Sequence, residues 1–549
     1  MLIDSQQLAQ DAEIRGSVAI IGAGAAGIVL ATELIRHFRD VVVLESGGLE
    51  YEQATQDLYR GTNLIDIETP TDFRIPKLPL EVSRLRFFGG TTNHWNGVCS
   101  PFDAVDFKHA ADSPFNEWPI QLSDLLPYYA RAYRYCEIGA YESPPAIIGK
   151  AEPIARQILD SPDFELAEFR HSPPTRFGEL YRSDLASSER VKVYLHANVT
   201  DLSVSSDGRK ISSLEVRTLS GRGFSVAAKL FILCCGGIEN ARILLNCTRH
   251  FPAGIGNKHD LVGRCFMNNP QASVGTIVPR ISDFDLGPVV LGKDGPTPVT
   301  VAFKNSARVA TLPGRRGASI FLNPIFEQDS AVAQARNTPS FEAVRSMFQD
   351  LKHRHIPVNF SKKVHTVLED PASVAKAIYS RVTEVFRSKK PMKGIWVRIE
   401  GAQPPNPASR VMLNNDVDVF GMKRVTLDWR ISDEDYANLY QTSEAFARGV
   451  GAAGFGRMNL EISEHKDLSK ITGTGHHLGT TRMHNDPRQG VVDQNCKVHD
   501  LDNLFIAGSS VFTTGPRVNP TLNIVALAIR LADHLRTKVT GNVSTRETA

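Results

Sequence analysis

Cysteine is scarce in this chain, and its spacing excludes two common uses of the residue. Seven cysteines occur among 549 residues, and no two of them form a Cys-x-x-Cys pair. Structural zinc sites and the disulfide frameworks of small secreted domains both need closely and regularly spaced cysteines. We therefore expect neither a bound metal nor a disulfide network. A haem attached through a Cys-x-x-Cys-His motif is excluded for the same reason.

Long apolar segments and an excess of charge are also missing. No run of about 18 apolar residues is present, so the sequence predicts no membrane span. The 62 basic and 60 acidic residues nearly cancel, and without a basic patch we expect no nucleic-acid partner. The first residues lack the basic segment and apolar core of a secretory leader, which favours a cytoplasmic protein. The length predicts two or three domains.

A glycine-rich turn lies close to the start of the chain. The apolar run Val18–Ile21 leads into Gly22-x-Gly24-x-x-Gly27, after which apolar residues recur at helical spacing. The first glycine permits a tight turn, the second lets a pyrophosphate approach the backbone, and the third lets helix and strand pack closely. The free N–H groups at the helix start then bind the phosphates. This pattern predicts a dinucleotide site.

A second apolar run, Val41–Leu44, ends at Glu45, 23 residues after Gly22. A carboxylate at that position accepts hydrogen bonds from a ribose diol and disfavours the 2′-phosphate of NADP. The strand, turn, helix and acid together predict a Rossmann-like unit. They leave FAD and NAD equally open.

Later segments outline the rest of the fold. Residues 191–235 alternate as a β-meander that feeds a buried strand, and a helix is predicted from Glu239 to Cys247. Four segments predict further strands: Ala307–Leu312, Ser319–Leu322, Trp396–Glu400 and Arg424–Trp429. Helical spacing occurs in Phe341–Leu351, Val374–Phe386 and a segment from Ile431 to about Val450.

Two C-terminal segments combine polar side chains with turns. Gly473–Met483 surrounds His476 and His477 with glycines and hydroxyls. Further on, Pro520 and Thr521 stand at a helix start, so that Asn519 just before them can direct its amide into a site.

Together these motifs resemble the glucose–methanol–choline (GMC) oxidoreductases, FAD-dependent enzymes that oxidise alcohols. The matching motifs, in the order of that family, are Gly22-x-Gly24-x-x-Gly27 with Glu45, Gly89-Gly-Thr-Thr-Asn-His-Trp95, Cys235-Gly-Gly-Ile-Glu-Asn-Ala-Arg-Ile-Leu-Leu245, His476-x-x-Gly479-Thr480, Asn503-Leu-Phe-Ile-Ala-Gly508 and Val518-Asn-Pro-Thr521. They span almost the whole chain, and residues 275–465 match least. The His94-Trp95 pair and the Arg482-Met483 pair are most similar to the branch of pyranose oxidase, gluconate dehydrogenase and fructose dehydrogenase, which implies a sugar or polyol substrate.

The resemblance implies an α/β fold (α+β overall) with a Rossmann-like FAD-binding domain. This domain is discontinuous and takes residues 1–274 and 466–549, with excursions at 49–185. Residues 275–465 form a substrate-binding domain, a sheet with helices. The cofactor contacts implied are Gly22, Gly24, Ala25, Ala26, Gly27, Glu45, Ser46, Gly90, Thr91, Asn93, His94, Trp95, Asn96, Val199, Cys235, Gly236, Gly508, Ser509, Pro520 and Thr521.

The histidine of pyranose oxidase that matches His94 is bonded covalently to the flavin. Other relatives with a similar His-Trp pair bind FAD without a bond, and we favour that alternative here. Asn96 stands where pyranose oxidase has a threonine near the flavin, and this departure weakens any inference about oxygen reactivity.

The resemblance also implies the catalytic pair. The family carries a histidine at the flavin, followed much later by a histidine or an asparagine, and His476 and Asn519 lie 43 residues apart. His476 takes the proton of the substrate hydroxyl while a hydride passes to flavin N5, and Asn519 donates a hydrogen bond to the developing alkoxide. His477 points in a different direction from its neighbour, so we expect a packed or hydrogen-bonded histidine there, with contact to substrate as the alternative.

Several alternatives stay open at this point. The substrate is a sugar, glycoside or polyol, or else an aryl alcohol or the hydroxyl of a secondary metabolite. A non-redox lyase that retains flavin is a third reading. The electron acceptor is separate (oxygen, a quinone or a redox protein), and oxidase and dehydrogenase are not distinguished. A small accessory subunit, export to the periplasm with a partner subunit, and a homo-oligomer also stay open.

Overall fold

The computed structural model describes residues 1–64, 79–107, 115, 117–326, 367 and 392–544. Within these residues the strands form three sheets, of eight, nine and three strands. The helices are Ala25–Leu34, Gln53–Gln56, Leu126–Tyr135, Ala146–Ile158, Phe177–Leu180, Arg182–Ser187, Gly236–Asn246, Pro288–Leu291, Ala307–Ala310, Asp433–Ala452 and Thr521–Ser544. None of the described helices is long and apolar enough to cross a membrane.

The eight-stranded sheet carries the glycine-rich turn. In spatial order its strands are Leu2–Asp4, Val191–Leu195, Val41–Leu44, Ala12–Ile21, Gly223–Leu233, Ile211–Arg217 and Asn198–Val204, with Leu504–Ile506 also paired to Gly223–Leu233. The first five of these strands and Leu504–Ile506 run parallel, whereas Ile211–Arg217 is antiparallel to both of its neighbours in the sheet. The predicted meander is therefore confirmed for residues 198–233, while Val191–Leu195 belongs to the parallel part.

Continuous burial explains why the parallel strands lie at the centre of the fold. Val18–Ile21 and Val41–Leu44 are buried at every position, as expected for strands covered on both faces. The helix Ala25–Leu34 contacts the strands Ala12–Ile21 and Val41–Leu44, and it also packs against the C-terminal helix Thr521–Ser544. That contact brings the end of the chain beside the first glycine turn.

The nine-stranded sheet is formed by a second set of segments. Its strands are Gly456–Leu460, Pro270–Pro279, Met392–Gly401, Ala318–Phe326, Thr297–Asn305, Phe164–His171 and Val98–Cys99, with Gly292–Asp294 and Ile471–Gly473 at its sides. The third sheet holds Arg410–Val417, Lys423–Asp428 and Thr62–Asn63. Segments from the first half of the chain therefore contribute to both of these sheets.

One strand prediction is wrong. Ala307–Leu312 was expected to be extended, but Ala307–Ala310 forms a short helix. The preceding strand ends at Asn305, and the Ala310 N–H donates to the Ser306 carbonyl at 2.9 Å, which closes a helical turn. The helix predicted from Glu239 begins three residues earlier, at Gly236. The helices predicted for Phe341–Leu351 and Val374–Phe386 lie outside the described residues.

Candidate active site

A cavity of about 530 Å³ opens where the parallel strands end. Ile21 and Leu44 end two of these strands, Cys234 and Gly508 follow the ends of two others, and all four residues line the cavity. Ligands of open α/β sheets bind at this edge, beside the helix N-termini that follow the strands.

Glycines shape the floor of this cavity, to which we refer as the cofactor cavity. A Cβ added at Gly24, Gly236 or Gly508 would meet no atom within 4 Å, so these glycines keep the backbone open to a ligand. Gly27 has a different role, because a Cβ there would lie 1.9 Å from the Gly22 carbonyl oxygen. Gly27 therefore allows the helix to pack on the turn, as the sequence predicted.

Most of the predicted cofactor contacts line the cofactor cavity. These are Gly22, Gly24, Ala25, Ala26, Glu45, Ser46, Gly90, Thr91, His94, Trp95, Asn96, Val199, Cys235, Gly236, Gly508, Ser509, Pro520 and Thr521. Gly27 and Asn93 do not line it. The Asn93 amide instead donates to the Phe88 carbonyl at 3.0 Å, a hydrogen bond that stabilises the loop after Gly89.

Glu45 is buried under the glycine turn. One carboxylate oxygen accepts the Ala23 N–H at 2.8 Å, and the other accepts the Gly47 N–H at 3.0 Å and the Ser46 hydroxyl at 3.2 Å. The carboxylate therefore ties the end of its own strand to the turn. The oxygen that accepts only the Ala23 N–H keeps a lone pair for a ribose hydroxyl.

Two arginines of the cofactor cavity were not identified as site residues from the sequence. Arg84 and Arg86 both pair with buried Glu239, at 3.2 Å each, and lie over the ring of Tyr59. Arg86 contacts Glu239 through Nη1, and its Nε is buried without a hydrogen-bond partner in the structure. A donor left in this way suits an anionic ligand that carries many acceptor oxygens, which fits a dinucleotide. Arg84-Leu-Arg86 precedes the loop that begins at Gly89, but the spacing of the two arginines in the sequence does not show that both side chains line the cofactor cavity.

The loop after Gly89 presents polar side chains to the cavity. Thr91, His94 and Asn96 are exposed there, whereas Trp95 is anchored by its Nε1–H, which donates to the Thr175 carbonyl at 2.8 Å. Desolvation of the ring within the cavity and the nearby Arg176 guanidinium lower the pKa of His94, which favours the neutral ring.

Cys235 lines the same cavity and is not a nucleophile. Its Sγ donates to the Ile21 carbonyl at 3.2 Å, and burial raises its pKa to about 12. All seven cysteines are free thiols. No cluster of the described His, Cys, Asp and Glu side chains is arranged to hold a metal ion.

His476 and Asn519 meet at the far end of the cofactor cavity. The Asn519 Nδ2 atom lies 3.3 Å from His476 Nε2, although the two residues are 43 positions apart. On the other side of the imidazole, Nδ1 lies 2.8 Å from Asn269 Oδ1 and 2.8 Å from Thr474 Oγ1. Burial lowers the pKa of His476 from 6.5 to about 4. The side chain is therefore a neutral base at pH 7, and its Nε2 faces the asparagine.

His477 lies beside this pair but has a different environment. Its ring centroid is 5.8 Å from that of Phe266, and its carbonyl accepts the Ser509 hydroxyl at 2.7 Å. Burial, the Arg84 charge and His476 lower its pKa to about 3. Gly237 packs against this segment so closely that a Cβ there would lie 2.2 Å from the His477 carbonyl oxygen.

A second cavity of about 570 Å³ adjoins the first, and we refer to it as the substrate cavity. The residues that line both cavities are Ser83, Asn96, Val98, Gly473, Thr474, Gly475, His476, His477 and Asn519. The other walls of the substrate cavity come largely from one face of the nine-stranded sheet and include Phe169, His171, Gln271, Thr300, Phe321, Asn323, Arg398 and Glu400. Sequence reasoning missed this second group.

Comparison with known proteins agrees with this architecture. A family model described as GMC oxidoreductase matches residues 405–528. The chain is also similar to the 6'''-hydroxyparomomycin C oxidase of Streptomyces lividus, at 25% identity over 94% of this chain and 91% of that protein. Similarity to the fructose dehydrogenase large subunit of Gluconobacter japonicus is 21%, over 95% and 97% of the two chains.

Residues 405–528 thus form a GMC oxidoreductase C-terminal domain, and the relatives that align with almost the whole chain are GMC enzymes. Like these enzymes, the chain is an FAD-dependent oxidoreductase that acts on CH–OH groups. The crystal structure of pyridoxine 4-oxidase from Mesorbium loti matches this chain with a TM-score of 0.56, at 16% identity, over 94% of this chain and 99% of that one. The similarity supports the fold, a Rossmann-like FAD-binding part combined with a substrate-binding part.

The residues that line the cofactor cavity themselves fit FAD. The open glycine floor accepts a pyrophosphate close to the backbone, and Glu45 lies at the strand end where an acidic residue binds the ribose hydroxyls. Arg86, whose Nε has no hydrogen-bond partner in the structure, lines the same cavity. We therefore expect the arginines to be satisfied when the cofactor is bound.

Proposed function

We propose that this GMC oxidoreductase oxidises a hydroxyl group on a sugar or glycoside, with His476 as the base and Asn519 as the hydrogen-bond donor at the reacting oxygen. FAD held by the cofactor cavity supplies the hydride acceptor. In this proposal the parallel sheet and its helices hold the cofactor, and the nine-stranded sheet holds the substrate. The electrons leave to a separate acceptor.

The observation that carries the proposal is the position of His476 and Asn519, which line both cavities. A substrate hydroxyl in the second cavity reaches the imidazole Nε2 and the asparagine amide together, since these two groups lie 3.3 Å apart. An alcohol C–H becomes hydridic only as the O–H proton leaves, so a neutral base at this point lowers the barrier. The Asn519 N–H stabilises the oxygen as its negative charge develops.

The walls of the substrate cavity support a sugar. Phe169, Phe266, Phe321 and Trp429 are part of the cavity wall and provide apolar contacts for the C–H groups of a pyranose. Between them lie hydrogen-bonding side chains suited to its hydroxyls: Gln271, Thr300, Asn323, Arg398, Glu400 and Thr472. The Asn323 Nδ2 atom is buried without a partner in the structure, which leaves a donor for a ligand oxygen.

A charged pair lies within this polar set. The Arg398 guanidinium donates to Glu400 at 2.7 Å and lies 4.6 Å above the ring of Phe321. Glu400 is buried, and burial raises its pKa. Because the two charges compensate each other, the pair suits a neutral polyhydroxylated ligand, to which the arginine donates from its remaining N–H groups.

The experiment that tests this proposal is anaerobic mixing of the purified holoenzyme with a panel of alcohols. The panel contains D-glucose, D-fructose, methyl glycosides, an aminoglycoside, benzyl alcohol and pyridoxine. We expect loss of the oxidised flavin absorbance with a sugar or glycoside. Reduction by the aromatic alcohols alone would refute the sugar assignment, and an enzyme that converts substrate with no flavin reduction would refute the redox reaction.

We further propose that FAD is bound without a covalent bond to His94. The cradle of glycines, Glu45 and arginines already provides many contacts for the cofactor. Acid precipitation of the holoenzyme separates the two cases. We expect a yellow supernatant and a colourless pellet; a yellow pellet would show a covalent link.

A further inference from the structure

The hydrogen bonds behind His476 determine which ring nitrogen carries its proton. The Asn269 Nδ2 group contacts two backbone carbonyls, that of Gly401 at 3.3 Å and that of Pro516. Carbonyls only accept, so this end of the side chain is the NH₂ group. The opposite end, which lies 2.8 Å from His476 Nδ1, is therefore the oxygen and can only accept.

The neighbouring Thr474 places no such restriction on the ring. Its hydroxyl lies 2.8 Å from His476 Nδ1 and 2.9 Å from Asn268 Oδ1. That oxygen is itself identified by the backbone N–H groups of Asn269 and His476, which donate to it at 2.9 and 3.1 Å. A hydroxyl can turn its proton to either neighbour, so Thr474 serves both tautomers.

We propose that Asn269 is a positioning residue that holds His476 in the Nδ1–H tautomer, so that the lone pair of Nε2 faces the substrate cavity. With the other tautomer, the Nδ1 lone pair would lie against the Asn269 oxygen, and Nε2 would carry a proton toward the Asn519 N–H. Both contacts would then be unfavourable. This inference rests on the proposed function, in which Nε2 is the base.

The location of Asn269 accounts for its rigidity. It is 1% exposed and directly precedes the strand Pro270–Pro279 of the nine-stranded sheet, next to the Gly401 end of a neighbouring strand. Its two donors are bound to carbonyls of two different segments, at 401 and 516. A buried amide fixed in this way cannot flip to suit the imidazole.

The tautomer is measured directly by NMR of holoenzyme labelled with ¹⁵N-histidine, with FAD bound and no substrate. Two-bond proton correlations distinguish a protonated from an unprotonated ring nitrogen, and the His476→Gln variant assigns the signals. We expect Nδ1 to carry the proton at pH 7. A wild-type protein with the proton on Nε2 would overturn the proposal without any variant.

Matched variants then test the residue itself. Asn269→Leu removes the acceptor, and we expect the ratio of the Nδ1–H to the Nε2–H tautomer to fall by about tenfold. Thr474→Val removes the other Nδ1 contact, and we expect the wild-type tautomer to be kept. Equal ratios in Asn269→Leu and wild type would overturn the proposal. FAD content and the visible flavin spectrum verify that each variant is folded.

Kinetics separate this inference from the function on which it rests. At saturating substrate and with FAD bound, Asn269→Leu should reduce its flavin more slowly than Thr474→Val. If His476→Ala reduces its flavin at the wild-type rate, the proposed base is wrong. If flavin reduction is slow in His476→Ala, but Asn269→Leu has the wild-type rate and the wild-type tautomer ratio, only the role of Asn269 is wrong.

Discussion

The pH dependence of flavin reduction is the sharpest consequence of the way in which His476 is buried. The proposed base must be neutral, so its activity is lost as the pH falls through its pKa. Burial lowers that pKa from 6.5 to about 4. At pH 5 the neutral fraction is then about 0.9, whereas a histidine of ordinary pKa would be neutral to about 0.03. The two cases differ about 30-fold in rate at pH 5.

The assay is the anaerobic first-order rate of flavin reduction at saturating substrate between pH 4 and pH 8. We expect a rate that is nearly constant from pH 8 to pH 5 and declines below that. The unfolded chain binds more protons than the folded protein between the two pKa values, so stability also falls as the pH decreases through this window. FAD retention is therefore measured at each pH. An acidic limb centred near pH 6.5 in a fully folded enzyme would refute the reasoning.

Three further predictions concern the two cavities. Gly24→Ala should lower the affinity for FAD with the apoprotein melting temperature unchanged, because a Cβ there meets no protein atom within 4 Å. Gly27→Ala should instead destabilise the apoprotein by about 1–3 kcal/mol in urea unfolding, because its Cβ would lie 1.9 Å from the Gly22 oxygen. Arg398→Met should raise the KM for the best sugar by about tenfold or more. The control is Arg457→Met, which alters an exposed arginine on the same sheet and should leave the KM unchanged; equal KM values in the two variants would contradict the assigned cavity. Glu45→Gln should weaken FAD binding, measured by equilibrium dialysis, since it weakens the bonds that close the glycine turn; undiminished affinity would contradict that role.

Local pattern predicted the parts of the fold in which backbone and side-chain requirements coincide. The glycine turn, the parallel strands at Val18–Ile21 and Val41–Leu44 and the C-terminal helix are apolar and continuous, so their burial could be predicted. Ala307–Leu312 was misassigned because a short alternating segment does not show where the preceding strand ends.

The candidate site was predictable only where a motif marked it. His476 and Asn519 were paired through the family resemblance, and the structure places their side chains 3.3 Å apart. Asn269 was missed because an asparagine before a strand has no local signature; its role depends on carbonyls at 401 and 516, far along the chain. Arg398 and Glu400 were missed for the same reason, since only the packed sheet shows which of its faces lines a cavity.

The central claim is that His476 takes the proton of an alcohol bound in the substrate cavity. The most direct test compares anaerobic flavin reduction in wild type and His476→Ala, with the best substrate of the panel at saturation. His484→Gln, which alters a buried histidine that lines neither cavity, is the matched control. A general base contributes about 10²–10⁴-fold, so we predict a loss of at least about 100-fold in His476→Ala with FAD still bound. Reduction at close to the wild-type rate would contradict the account.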